Sequence, residues 1–224
     1  MSVFALEGVE APEGVERLEG FSVEPVSEAL AARMRRGGSY PEGCPVPLSE
    51  LRYVRVRHWN MEGKEMTGEL VCNVLIAEDV REIFEELYRV HYPIHSVRLI
   101  DDFGANDSAS VAANNTSAFC YRRVAGTRLL SFHAKGLAVD VNPLDNPLVR
   151  PKVKGGAIPK VPHVIDERDA CYRAFKRRGF SWGGHWRRLK DYQHFERREG
   201  QRLKGQGPEG VMPEGQRRGG RKNT

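Results

Sequence analysis

The chain has 224 residues, of which 40% are apolar and 29% are charged, and its mean hydropathy is negative. No apolar run approaches the roughly 20 residues that a membrane-spanning helix needs. This composition excludes a membrane protein and a fibrous repeat, and it is typical of one soluble globular domain with additional sequence. The formal net charge is +5, which indicates a nucleic acid or an anionic surface as partner only where the charge forms a patch.

The charge is unevenly distributed along the chain. Residues 197–224 contain eight Lys and Arg and three acidic residues, so they carry a charge equal to that of the whole protein. The first 28 residues contain seven Glu and one Arg. We therefore predict an acidic, partly flexible leader with a short helix at residues 1–50, a folded domain at 51–196 and a disordered, basic, Gly-rich tail at 197–224. The tail has too few apolar residues to offset the entropy cost of folding.

Helical patterns occur in three segments. Ser27 is expected to cap a short helix over residues 28–36, which two glycines end. The strongest pattern covers about residues 77–90, where apolar residues recur at the i, i+3, i+4, i+7 spacing. A third helix is predicted over about residues 167–178, with Asp166 as its cap.

Apolar and polar residues alternate in several short runs, as they do in half-buried strands. In residues 53–59, Val54 and Val56 share one face while Arg55 and Arg57 share the other. Weaker runs of this kind are residues 96–100, 118–122, 129–133, 138–142 and 192–196. Helices that alternate irregularly with short strands and long loops indicate an α+β fold, in which helices flank a small antiparallel sheet.

Two histidines and two aspartates lie where predicted strands end or begin. His133 closes one predicted strand and Asp140 lies on the next, after a turn eased by Gly136, so their side chains can converge across a hairpin. His194 follows a polar turn, and Asp191 precedes it by three residues. Two imidazoles and one carboxylate form the protein ligands of many hydrolytic zinc sites, in which a water of lowered pKa takes the fourth position. Asp191 is placed to accept a proton from such a water.

The residues around these side chains form a longer pattern. Ser131 to Asp140 reads S-x-H-x-x-G-x-A-x-D, and Asp191 to Glu196 reads D-Y-x-H-F-E. Further matching segments are residues 114–119, 142–143, 146–147 and 182–186. Over about residues 68–196 the chain resembles the zinc D-alanyl-D-alanine carboxypeptidase and L-alanyl-D-glutamate endopeptidase family. The fold of that family is shared with the Hedgehog signalling domain.

The resemblance implies a role for each of four residues. His133, Asp140 and His194 match the ligands of one zinc ion, and Asp191 matches the catalytic base. Many family members have Glu at that last position. Asp is one methylene shorter, so its reach to the zinc-bound water must come from the placement of its backbone.

The resemblance also implies a substrate and two residues that contact it. Members of the family hydrolyse the peptide stems of bacterial cell-wall peptidoglycan, either as carboxypeptidases or as endopeptidases. Arg122 matches an arginine near the scissile carbonyl, where its cation stabilises the oxyanion of the transition state. Ser131 either binds substrate or neighbouring site groups, or is a structural hydroxyl at the end of the strand.

Two other functions are consistent with the sequence. One is a non-catalytic, zinc-stabilised binding module of the same fold, and the other is a binder of anionic cell-wall polymers that acts through the basic tail. The basic residues between 176 and 190 lack interleaved aromatic residues, so we expect no specific nucleic-acid partner. We expect a monomer. The implied substrate lies in the periplasm or cell wall, although the first residues show neither the basic nor the apolar region of a signal peptide.

Overall fold

The computed structural model describes residues 18–124, 126–153, 157 and 165–198. The first 17 residues of the predicted leader and residues 199–224 of the predicted tail lie outside the described residues. The mixed helix and strand composition expected from the sequence is present. Within the described residues, no helix combines the length and the apolar character that a membrane span requires.

An antiparallel sheet is formed by the N-terminal half of the described chain. Its strands, in the order β1-β2-β3, are Ser22–Pro25, Leu51–Trp59 and Glu65–Asn73. Strand β2 confirms the predicted alternation, since Val54 and Val56 are buried and Arg55 is exposed. Strand β3 is an addition to the prediction. Its first three residues, 65–67, are exposed on both faces and therefore carry no alternating pattern.

Two helices pack beside this sheet, at the positions that their patterns predict. Helix α1 covers Glu28–Gly37, and Ser27 caps it by accepting a hydrogen bond from the Leu30 backbone amide. Helix α2 covers Val74–Arg89 and buries its apolar face against the sheet. It begins three residues earlier than expected because the Asn73 side chain caps it.

Helix α3, Asp107–Ala112, has only six residues and is an addition to the prediction. Helix α4 covers Ala170–Arg177. The prediction that Asp166 caps α4 is wrong. Asp169 is the cap and accepts from the Cys171 amide at 2.7 Å, whereas Asp166 accepts backbone amides in the turn that precedes the helix.

A second antiparallel sheet is built from three very short strands. Their order is β6-β10-β8, and they cover Ala138–Asp140, His194–Glu196 and Ser181–Trp182. Two further pairs are β4 with β5, which are parallel, and β7 with β9, which are antiparallel. These strands cover Ser96–Val97, Asn115–Thr116, Leu148–Val149 and Lys190–Asp191. The small antiparallel sheet is thus present, and the likeness to the Hedgehog and peptidase fold remains a prediction.

The predicted hairpin between His133 and Asp140 is wrong. Residues 118–122 and 129–133 form no strands. Of these residues only Leu130 takes part in an isolated bridge, and its partner is Arg123. The segment His133–Lys135 is instead a turn of 3-10 helix that ends at Gly136, with φ of +68°. A Cβ at Gly136 would lie 2.7 Å from the Asn73 backbone nitrogen, so this turn can dock on the start of α2 only with glycine there.

The apolar core connects both sheets and so fixes the position of the second one. Phe195 of β10 stacks on Phe175 of α4 with ring centroids 4.2 Å apart. Val139 of β6 belongs to the same buried cluster as α2. Because side chains alternate along a strand, burying Val139 and Phe195 turns their neighbours Asp140 and His194 to the opposite face.

Candidate metal centre

Asp140 and His194 are direct cross-strand partners. They lie opposite each other in the antiparallel pair of β6 and β10. His133 approaches from the 3-10 turn before β6 rather than from a neighbouring strand. The structure therefore brings together the three residues that the sequence singled out, although one of them arrives by a different route.

Three side-chain atoms of these residues form a compact triangle. His133 Nε2 lies 3.2 Å from His194 Nδ1 and 3.2 Å from Asp140 Oδ1, and His194 Nδ1 lies 2.9 Å from Asp140 Oδ1. Ligand atoms at about 2.0–2.1 Å from a tetrahedral zinc ion lie about 3.3 Å apart. All three side chains are buried. Their donor set and spacing fit a divalent metal ion.

Each histidine has a second partner on its other ring nitrogen. His133 Nδ1 donates to the Ala118 carbonyl at 2.6 Å, and His194 Nε2 donates to Glu196 Oε2 at 3.1 Å. Such partners orient metal-binding imidazoles and fix the nitrogen that faces the metal. Sequence reasoning assigned no role to Glu196, although its spacing of two residues on a strand places it on the same face as His194.

The electrostatics of the metal-free cluster follow from these contacts. Although burial favours neutral groups, the His133 and His194 imidazoles hold the pKa of Asp140 well below its usual range. Burial also opposes charge on His194, but its hydrogen bonds to Asp140 and Glu196 raise its pKa to about 10. Metal binding at neutral pH must therefore displace a proton from His194 Nδ1.

Asp191 lies on β9, which pairs with β7 so that Asp191 faces Leu148 across the ladder. Burial, followed by the charge of Asp140, raises the pKa of Asp191 to about 6. Gly183 packs directly against it, since a Cβ on Gly183 would lie 2.5 Å from the Asp191 carbonyl oxygen. The segment 182–186 that forms part of the family resemblance thus holds the backbone of this carboxylate in place.

One cavity of about 210 Å³ contains all of the candidate site residues. Its lining comprises Asp107, Arg122, Val124, Ser131, Phe132, His133, Asp140, Leu148, Arg150, Trp186, Leu189, Asp191, Gln193, His194 and Glu196. Three buried polar atoms have no hydrogen-bond partner among the described residues, namely Arg122 Nε, Asp191 Oδ1 and Gln193 Oε1. All three belong to this lining. Each such atom costs about 1–3 kcal/mol, so their convergence in one cavity indicates a functional site.

Arg122 and Ser131 both line the cavity, but each also has a partner within the protein. Arg122 Nη2 forms an ion pair with Asp107 Oδ1 at 3.0 Å. The Ser131 hydroxyl accepts from the His133 backbone amide at 3.2 Å. Ser131 therefore shapes the turn that presents His133. Asp107 also lines the cavity, and the sequence did not reveal it, because it precedes Arg122 by 15 residues and belongs to a separate helix.

Other residues of the resembling segments have structural roles. Asn142 binds two backbone groups of an earlier loop, donating to the Pro93 carbonyl and accepting from the His95 amide. Asn146 similarly accepts from the Ile165 amide at 3.0 Å. His185 is outside the cavity lining and contacts Glu167 at 2.8 Å. These side chains secure the loops around the site.

A family model described as D-alanyl-D-alanine carboxypeptidase matches residues 125–197. This segment is about a third of the chain and contains His133, Asp140, Asp191 and His194, whereas Arg122 lies before it. No curated protein and no solved structure matches the chain significantly. Over this segment, which includes the buried His-Asp-His group, the chain is similar to the D-alanyl-D-alanine carboxypeptidase family. The match confirms, over these residues, the resemblance to the zinc D-alanyl-D-alanine peptidase family.

Proposed function

We propose that the protein is a zinc-dependent peptidase that hydrolyses peptide bonds in peptidoglycan stem peptides, of the D-alanyl-D-alanine carboxypeptidase or L-alanyl-D-glutamate endopeptidase type. The observation that carries this proposal is the shared cavity of His133, Asp140 and His194 with Asp191, a buried carboxylate whose Oδ1 has no partner among the described residues. A purely structural metal site needs no such carboxylate. The arrangement therefore favours an enzyme over a zinc-stabilised binding module.

The side chains divide the chemistry among them. His133, Asp140 and His194 would hold one zinc ion, which when bound supplies a Lewis acid for the scissile carbonyl and lowers the pKa of water. Asp191 would accept a proton at Oδ1 from the attacking water and return it to the leaving amine. In the metal-free protein, burial and then the charge of Asp140 raise the pKa of Asp191 to about 6, so the carboxylate is ionised at neutral pH and more basic than an exposed one.

Arg122 would act on the substrate carbonyl. Its Nη2 is held by Asp107, while its buried Nε has no partner among the described residues. An N–H donor that is fixed in advance stabilises negative charge as it develops on the carbonyl oxygen. The ion pair with Asp107 therefore favours a fixed orientation of Arg122.

The cavity walls support a substrate with small side chains. Val124, Leu148, Trp186 and Leu189 provide apolar lining, and the volume is about 210 Å³. Ligand pockets for larger molecules usually exceed about 300 Å³. A short stretch of chain with alanine-sized side chains suits this space.

A pair of variants tests the proposal. His194→Ala should lose both bound zinc and muropeptide cleavage, whereas Asp191→Ala should retain zinc and lose cleavage. Metal content and the masses of the products are measured on the same preparations. Native-rate cleavage by Asp191→Ala would show that Asp191 is not the base. Product masses from defined muropeptides also separate the two types, because loss of one terminal alanine and internal cleavage give different fragments.

A further inference from the structure

The charges of the cavity are separated between its interior and its edge. The interior contains three buried carboxylates, those of Asp140, Asp191 and Glu196. Arg150 also lines the cavity, but it is exposed. No acidic group of the described residues lies within ion-pair distance of Arg150, whereas Arg122, the other lining arginine, is paired with Asp107. Among the described residues, Arg150 is thus the arginine of the lining without an acidic partner, and its guanidinium can meet a ligand.

The fold places Arg150 close to the carboxylate that we propose as the base. It directly follows β7, and β7 runs antiparallel to β9 with Leu148 opposite Asp191. Arg150 lies two residues after Leu148 and lines the same cavity as Asp191, so a group bound by Arg150 would share the cavity with the proposed base.

An anionic substrate needs such a cation. When the imidazoles are neutral, the three interior carboxylates carry one more negative charge than one divalent ion neutralises. The interior therefore repels an anionic substrate that enters the cavity. A guanidinium at the edge offsets this repulsion and binds a carboxylate through two parallel hydrogen bonds. Charge of one sign at the entrance of a cleft also raises the local concentration of the oppositely charged ligand.

We propose that Arg150 binds a substrate carboxylate next to the scissile bond and thereby makes the enzyme selective for acidic peptides. The inference rests on the proposed peptidase function. Two positions can supply this carboxylate, namely the C-terminus of the peptide or an acidic residue within it. Both present the same planar, bidentate acceptor to the guanidinium.

Two matched pairs of synthetic peptides separate these positions. One pair ends in D-Ala-D-Ala as the free acid or as the carboxamide, and the other contains an internal L-Ala-D-Glu or L-Ala-D-Gln step. Each peptide is assayed with the zinc-loaded wild type, Arg150→Ala, Arg150→Lys and the control Arg89→Ala. Arg89 is also an exposed arginine, and it is absent from the cavity lining.

In one of the two peptide pairs, kcat/KM of the wild type should be roughly 10- to 100-fold higher for the acid than for the amide, as expected for a hydrogen bond to a charged group. The difference should arise mainly from KM. Arg150→Ala should reduce kcat/KM on the acid to near that on the amide. Arg150→Lys should keep part of the preference, since lysine retains the charge without the bidentate geometry. Arg89→Ala should keep all of it.

Equal kcat/KM for acid and amide in both pairs, or an equal loss on both in Arg150→Ala, would overturn the role of Arg150 while the peptidase function stands. Failure of the zinc-loaded wild type to cleave any of the four peptides would contradict the peptidase function instead. Calorimetric binding of the same peptides to zinc-loaded Asp191→Asn then still decides the role of Arg150. A lower Kd for the acid supports it, and equal Kd values for acid and amide exclude it.

Discussion

His194 Nε2 donates to Glu196 Oε2 at 3.1 Å, and the two side chains lie two residues apart on the same face of β10. Both are buried, so the hydrogen bond is formed away from bulk water. It fixes the ring so that Nδ1 faces Asp140 at 2.9 Å. Glu196 therefore orients the imidazole from its far side.

Glu196→Ala should weaken zinc binding by roughly 10- to 100-fold, the usual effect of removing an outer partner of a metal ligand. Glu196→Gln should weaken zinc binding less, because an amide oxygen still accepts a hydrogen bond from His194 Nε2. Competition with a chelator of known affinity measures both. Glu62→Ala, a change at an exposed turn residue, is the control. Unchanged affinity in Glu196→Ala would mean that the strand alone orients His194.

Asp191 should make the metal-free protein less stable as the pH rises. Its pKa is about 6 in the folded protein against an ordinary value of 3.8. Below pH 4 both states keep the proton. Between about pH 4 and 6 the unfolded state loses it first, so stability falls by at most about 3 kcal/mol and then stays level.

Asp191→Asn removes this dependence. In the presence of a chelator, urea unfolding at pH 4 and at pH 7.5 measures the free energy of unfolding of both proteins. Relative to the wild type, the variant should be more stable at pH 7.5 than at pH 4. The difference between the two proteins isolates Asp191 from other titrating groups such as His194. An identical difference at both pH values would exclude a raised pKa at Asp191.

The contact between Gly183 and Asp191 predicts a variant that separates catalysis from metal binding. A Cβ at Gly183 would lie 2.5 Å from the Asp191 carbonyl oxygen and 2.8 Å from its Cβ, neither of which belongs to the flexible end of a side chain. Gly183→Ala should therefore displace Asp191 and cost about 1–3 kcal/mol of stability. Peptide cleavage should fall at least tenfold while zinc affinity changes little, because the ligands lie on β6, β10 and the 3-10 turn.

Gly63→Ala is the matched control for this prediction. Gly63 has a φ of +72°, and a Cβ added there would meet nothing within 4 Å, so the change adds backbone strain without a clash. It should reduce stability and leave cleavage intact. Equal cleavage by Gly183→Ala and the wild type would show that the position of Asp191 tolerates movement.

The sequence predicts those helices and strands whose spacing of apolar residues is contained within the element itself. Helix α2 repeats apolar residues at helical spacing, and in β2 the buried Val54 and Val56 alternate with Arg55 and Arg57, so both were predictable. Of the described strands with two residues each, β4 lies within a predicted run, residues 96–100, whereas β5, β7, β8 and β9 do not. Partners far along the chain define these four strands, and a local window carries no signal for them.

The same distinction holds at the site. His133, Asp140, Asp191 and His194 were found because they belong to a spaced motif. The turn that presents His133 depends on docking of Gly136 at Asn73, which no local pattern reveals. Asp107 likewise became visible only through its contact with Arg122 in the fold. Glu196 differs, since its position two residues after His194 on a predicted strand was a signal present in the sequence.

The ion pair of Arg122 with Asp107 gives the last prediction. Arg122 Nη2 lies 3.0 Å from Asp107 Oδ1, and the buried Nε has no partner among the described residues. In the proposed mechanism this Nε donates to the substrate carbonyl. Asp107→Asn should reduce kcat by about tenfold with a smaller effect on KM, because a less fixed donor loses mainly transition-state stabilisation. Arg122→Ala should reduce kcat further, on the order of 100-fold. Asp107→Glu should restore part of the activity, and zinc content should stay unchanged throughout. A loss in Asp107→Asn equal to that in Arg122→Ala, or a loss confined to KM, would show that Asp107 contacts the substrate itself.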